Sequence, residues 1–150
     1  TRVPLDAICD PTFGSICVVR SGAHVLDRAV VGSVEFGVLE LGVPLVMVLG
    51  HERCGAVAAA VAVSLGGPSP AGALGHLVAE ITPSVAAVGP RHPDVHALSV
   101  RHHVERTVAG LRAAPALSRR CRDGRLEVVG ACYALSSGRV ELLTRGAYRT

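Results

Sequence analysis

The sequence predicts an α/β domain, a mostly parallel β-sheet flanked by helices with an antiparallel strand at one edge. Three observations predict it. Short apolar, β-branched runs at residues 16–20, 43–49 and 126–133 are bounded by glycine, serine or proline, as buried strands are. The segments between them carry apolar residues at helical spacing. The short link Ser136-Ser137-Gly138 then joins the third run to a fourth at 140–143, and so short a link favours an antiparallel hairpin.

Taken in order, residues 16–20 lie between Gly14-Ser15 and Ser21-Gly22 and read as the first strand. Residues 29–41 carry Val30, Val34, Val38 and Leu41, a helix with one buried face. Strand, helix and the strand at 43–49 make a crossover unit, so these two strands are expected to be parallel and buried on both faces. A helix over about 54–65 ends at Gly66-Gly67-Pro68-Ser69-Pro70. Residues 71–88 read as a helix interrupted at Pro83, and 89–94 as a loop. Val100, Val104, Val108 and Leu111 place a helix over 95–114, with a further turn or two over 116–122.

With 150 residues and 49% hydrophobic composition, the chain suits one domain with a real core. All fifteen basic residues are arginine, the net charge is only +3, and the most basic stretch, residues 119–125, lacks interleaved aromatics. That pattern argues against a nucleic-acid platform. Cys9, Cys17, Cys54, Cys121 and Cys132 are odd in number and scattered, which fits reduced thiols in the cytoplasm. No apolar run reaches the length of a membrane span.

Chemistry concentrates where the run ending at Leu49-Gly50 meets His51-Glu52-Arg53-Cys54 and then the helix-like Gly55-Ala56-Val57. A strand that turns into a helix sets the turn residues along one rim, so an imidazole and a sulfur can serve one tetrahedral zinc ion. The helix N-terminus, with its partial positive charge, suits an anionic ligand at Cys54. In open α/β sheets such a turn lies where ligands bind.

Several blocks together closely resemble β-class carbonic anhydrases: Arg2-Val3-Pro4, residues 18–24, residues 32–38, Leu41-Gly42-Val43-Pro44 and residues 48–57. The resemblance is dense over the first 60 residues and looser through Val128-Val129-Gly130 and Tyr133 to Gly138-Arg139-Val140. It implies one zinc per chain held by two cysteines and a histidine, with His51 and Cys54 as the second ligand pair. The first cysteine belongs to a Cys-x-Asp-x-Arg motif of which Thr1-Arg2 matches the last two positions. Arg2 is therefore expected to be half of the pair that orients the zinc-bound water. The family's first cysteine, its aspartate, the central strand before them and an N-terminal helical arm are expected to be missing. The chain as given should then bind zinc weakly, and adding that segment should restore metal and activity.

By the same resemblance, Phe36 borders the carbon dioxide pocket across a dimer interface, and Gly55 lets the backbone approach the metal pocket. Cys17 falls where the family generally has an aromatic pocket residue. His24 is expected to hold a loop by hydrogen bonding. Cys9, Cys121 and Cys132 read as small core residues, and His92, His96, His102 and His103 as a surface cluster.

The function expected is reversible hydration of carbon dioxide to bicarbonate and a proton by attack of zinc-bound hydroxide, a lyase (carbonate dehydratase) reaction. The partners expected are carbon dioxide or bicarbonate and further copies of the chain, as a homodimer or higher oligomer, without nucleic acid or membrane. The alternative is a catalytically inactive remnant acting as an interaction module. Hydrolysis of another heterocumulene such as carbon disulfide, or thiol redox chemistry at Cys54, lacks any feature that selects it.

Overall fold

The computed structural model describes Val3, residues 5–9, Thr12 and residues 14–143. The element order is α1 (Leu5–Cys9), α2 (Arg28–Leu39), β1 (Leu45–His51), α3 (Gly55–Ser64), α4 (Gly72–Val88), α5 (Val95–Ala113), α6 (Pro115–Arg122), β2 (Glu127–Ala134) and β3 (Arg139–Leu142). Among the described residues the sheet has three strands in the order β1-β2-β3. β1 and β2 are parallel, in register from Leu45 opposite Glu127 to His51 opposite Tyr133. β2 and β3 form the expected antiparallel hairpin, with Tyr133 opposite Val140.

α5 covers one face of this sheet. Val46, Val48 and Gly50 alternate toward it, and Val48 packs with Val104, Val108, Leu111, Val128 and, from α2, Val38. A second cluster lies between α3, α4 and α5, built from Val57, Ala60, Val78, Ile81, Val85 and Val100 together with Cys54. α5 is the element the two cores share.

Close packing makes Gly50 obligatory. A Cβ there would sit 2.6 Å from Val104 Cγ2, 3.3 Å from Val100 Cγ1 and 3.5 Å from Cys132 Sγ. Val104 is fully buried and, being β-branched, has no easy alternative rotamer. Gly50→Ala is expected to cost about 1–3 kcal/mol, the usual range for overpacking. Urea denaturation would show it as a lowered midpoint; an unchanged midpoint would mean that α5 is free to shift.

Two expectations are corrected. Residues 16–20 run extended but join no ladder, and Ile16, Val18 and Val19 stay 41%, 49% and 42% exposed. A strand exists only through its partner's hydrogen bonds, and among the described residues no strand pairs the edge of β1 away from β2. The parallel pair is β1 with β2 instead. The other correction concerns Pro83, which lies inside a continuous α4. An internal proline costs a helix about 3 kcal/mol, but Val78, Ile81, Ser84 and Val85 around it are almost completely buried. That burial outweighs the lost hydrogen bond.

Candidate metal centre

β1 ends at His51 and α3 starts at Gly55, so the four-residue turn 51–54 is held at both ends by regular structure. Glu52 extends the ladder, donating its amide to Tyr133 O at 3.0 Å. Its carboxylate accepts from the amide and hydroxyl of Ser136, each at 3.3 Å, tying the turn to the β2–β3 link. Arg53 then takes φ +54°, a left-handed conformation that reverses the chain into the helix. Cys54 occupies the N-cap position of α3 with φ −61° and ψ 118° and makes no side-chain capping bond.

His51 lies within hydrogen-bonding distance of its neighbour's carbonyl, Nδ1 to Glu52 O at 2.8 Å. A carbonyl only accepts, so Nδ1 carries the proton and Nε2 keeps its lone pair for a metal. Cys54 is buried, 8% exposed. The two donors suit zinc in kind. They fall short in number, because a catalytic zinc site takes three protein ligands. Among the described residues no group of three or more His, Cys, Asp or Glu side chains could hold a metal ion.

Behind the turn, a buried polar network holds residues 22–24 against α5. Thr107 donates its hydroxyl to His103 O at 2.9 Å and so accepts from His24 Nδ1–H at 3.2 Å. His103 donates Nε2–H to Ala23 O at 3.0 Å, which leaves Nδ1 to accept from the Ser84 hydroxyl at 3.2 Å. The His24 and His103 rings stack with centroids 4.8 Å apart. Burial, then the neighbouring His103 and His51, push the His24 pKa down to about 3. Burial, aided by the Arg106 charge, lowers that of His103. Both are neutral at pH 7.

His24 thus holds its loop as expected, but the surface reading of the histidine cluster is corrected for His103, which is only 4% exposed. It falls on the apolar face of α5, one residue before Val104 and four before Thr107, a phase that the helical spacing of Val100, Val104 and Val108 already implied. His96, on the first turn of α5, donates Nε2–H to Cys54 O at 3.0 Å. Nothing in the sequence pointed to that contact. Cys132 is a half-buried thiol at the edge of both cores, its pKa pushed up to about 11 by burial, whereas Cys9 is exposed and the core reading is corrected for it.

Of the other sequence candidates that the structure describes, Gly55 adjoins this turn and Phe36 lies apart from it. Arg2 falls outside the described residues. Phe36, on α2, is 58% exposed. It lines an apolar groove of about 580 Å³ with Cys17, Val18, Val19, Gly37 and Leu41, and neither His51 nor Cys54 borders that groove. A Cβ on Gly55 would meet nothing within 4 Å, so the protein leaves the space in front of α3 open.

The profile of the carbonic anhydrase family matches residues 1–140. Carbonic anhydrase 2 of Mycobacterium tuberculosis is 43% identical over 145 residues, spanning 95% of this chain and 69% of that protein. The chain belongs to the carbonic anhydrase family. A carbonic anhydrase of Pseudomonas aeruginosa is 31% identical over 159 residues, covering 99% of this chain and 71% of its own length. Among solved structures, the β-carbonic anhydrase of Coccomyxa in complex with acetazolamide superposes with TM-score 0.82 at 22% identity, over 95% of this chain and 67% of that one. A tetrameric β-carbonic anhydrase of Sordaria macrospora superposes with TM-score 0.81 at 21% identity, over 96% and 76%. The α/β fold of this carbonic anhydrase, helices on a mixed sheet, is therefore the β-class fold.

Proposed function

We propose that the chain catalyses the reversible hydration of carbon dioxide to bicarbonate and a proton, with zinc held through His51 Nε2 and Cys54 Sγ and a further donor outside the described residues. Membership of the family carries this reading, and the turn supports it by keeping His51 Nε2 free. Zinc, when bound, supplies the acidified water and the Lewis acidity that the reaction needs.

The chain's own residues prepare the site. Glu52 O orients the His51 ring and sets its tautomer. The N-terminus of α3 surrounds the Cys54 sulfur with a field that favours anionic ligands. Arg2 is assigned as half of the pair that orients the attacking water, and Gly55 keeps the front of α3 clear. Phe36 is assigned to the substrate pocket completed by a second subunit, a role its exposure in an apolar groove supports. The homodimer or larger homo-oligomer follows from that assignment. The five free cysteines fit a cytoplasmic protein, and no described helix is long and apolar enough to cross a membrane.

One observation favours the rival reading, an inactive interaction module: only two of the needed donors are found among the described residues. Metal analysis and stopped-flow carbon dioxide hydration on the same preparation separate the two. One zinc per chain with hydration well above the uncatalysed rate, both lost in His51→Ala, supports the enzyme. A protein that stays metal-free with background hydration even when the segment carrying the Cys-x-Asp-x-Arg motif is added supports the module.

A further inference from the structure

We propose that His96 is a positioning residue for Cys54, locking the backbone that carries the sulfur. The proposal rests on reading Cys54 as a metal ligand. His96 is the second residue of α5, and its Nε2–H donates to Cys54 O at 3.0 Å across 42 residues of sequence. The same carbonyl accepts the amide of Ala58 at 3.0 Å, the first helical bond of α3. A carbonyl oxygen offers two lone pairs, so both are engaged. The peptide leaving Cys54 is thereby held from two directions, by its own helix and by α5.

The local chain gives Cys54 little of this restraint. Its side chain caps nothing, and the residue before it, Arg53, sits at φ +54°, where non-glycine residues are strained. Holding the carbonyl fixes ψ of Cys54 at 118°, and with it the direction in which Cβ leaves the backbone. Val95, beside His96, packs on the cluster that contains Cys54, so the donor itself is anchored. Metal affinity depends on such outer contacts because a ligand that must be ordered on binding binds more weakly.

A plain structural tether between α5 and α3 would show the same contact, so the test reads Cys54 itself. In the metal-free protein under chelator, iodoacetamide labelling is followed at Cys54 by peptide mass spectrometry, and cobalt(II) is titrated by its thiolate absorption band. His96→Ala is expected to speed Cys54 labelling several-fold and to weaken cobalt binding about 10-fold, the lower end for an outer-shell partner. His96→Gln, whose amide N–H reaches the position of Nε2, is expected to restore both. If His96→Ala does not fold, His96→Asn, whose shorter amide falls short of the carbonyl, takes its place. Val108→Ala, in the other core, lowers stability without touching Cys54 and is expected to leave labelling unchanged.

Equal labelling in wild type and His96→Ala overturns the proposal, as does an equal rise in Val108→Ala. A cobalt band indifferent to Cys54→Ala removes the ligand reading instead. The labelling rates then still decide whether His96 holds Cys54.

Discussion

Cys54→Ala is expected to lower carbon dioxide hydration well over 100-fold, since even outer-shell partners of a metal ligand cost about 10–100-fold when removed. Cys54 supplies one of the two donors the described chain brings to one turn, and among the described residues no third lies beside them to compensate. The fold should survive the change. Cys54 packs against Val57 and Val100, and losing one sulfur from that cluster removes roughly a methylene's worth of burial, about 1 kcal/mol. Circular dichroism, zinc content and hydration rate on one preparation check all three expectations together. Full activity with a normal zinc content in Cys54→Ala would refute the ligand assignment and with it the role given to the turn.

Acid should unfold this protein through its buried imidazoles. The folded-state pKa of His24 lies at about 3, below the value of 6.5 for a free side chain, so the unfolded chain binds the extra proton first. Stability from His24 is fully present above pH 6.5 and is lost progressively as pH falls from there toward 3. Each pH unit inside that window removes about 1.4 kcal/mol of the stability that His24 contributes. His103 is lowered too and adds a loss of the same sign below 6.5. Asp123 and Glu141 also have lowered values, owing to hydrogen bonds from Arg125 and Arg101, but they titrate below the usual carboxylate range. Urea denaturation between pH 7 and pH 5 therefore isolates the histidines. Across it His24→Asn, whose amide can still donate to Thr107, is expected to lose about 2 kcal/mol less than wild type. Equal slopes for the two proteins would show that His24 is solvated and charges freely.

The two predictions depend on residues that differed in how readily the sequence disclosed them. His51 and Cys54 could be read directly, because a strand-to-helix turn places side chains three positions apart on one rim whatever surrounds it. The family was readable as well, since the blocks around them carry a likeness that the comparisons bear out. The buried imidazoles were less accessible. His103 could have been placed from its phase on α5, yet His24 and Ser84 reach it from 79 and 19 residues away, a coincidence no local pattern encodes. The contact from His96 to Cys54 O belongs to the same kind.

Element type along α2, β1, α3, α5 and the β2–β3 hairpin was determined by the sequence alone, because helical and strand periodicity and turn residues are local properties. Pairing was not. Residues 16–20 have the composition of a strand and remain unpaired among the described residues, because a ladder requires a neighbour that composition cannot supply. Pro83 illustrates the converse, since tertiary burial of α4 overrides a local helix breaker. The sequence determined the family of this carbonic anhydrase and that His51 and Cys54 share one strand-to-helix turn. Only the tertiary structure decided how those residues are held, because the hydrogen bonds that orient them from α5 and from the β2–β3 link come from chain segments far away in sequence.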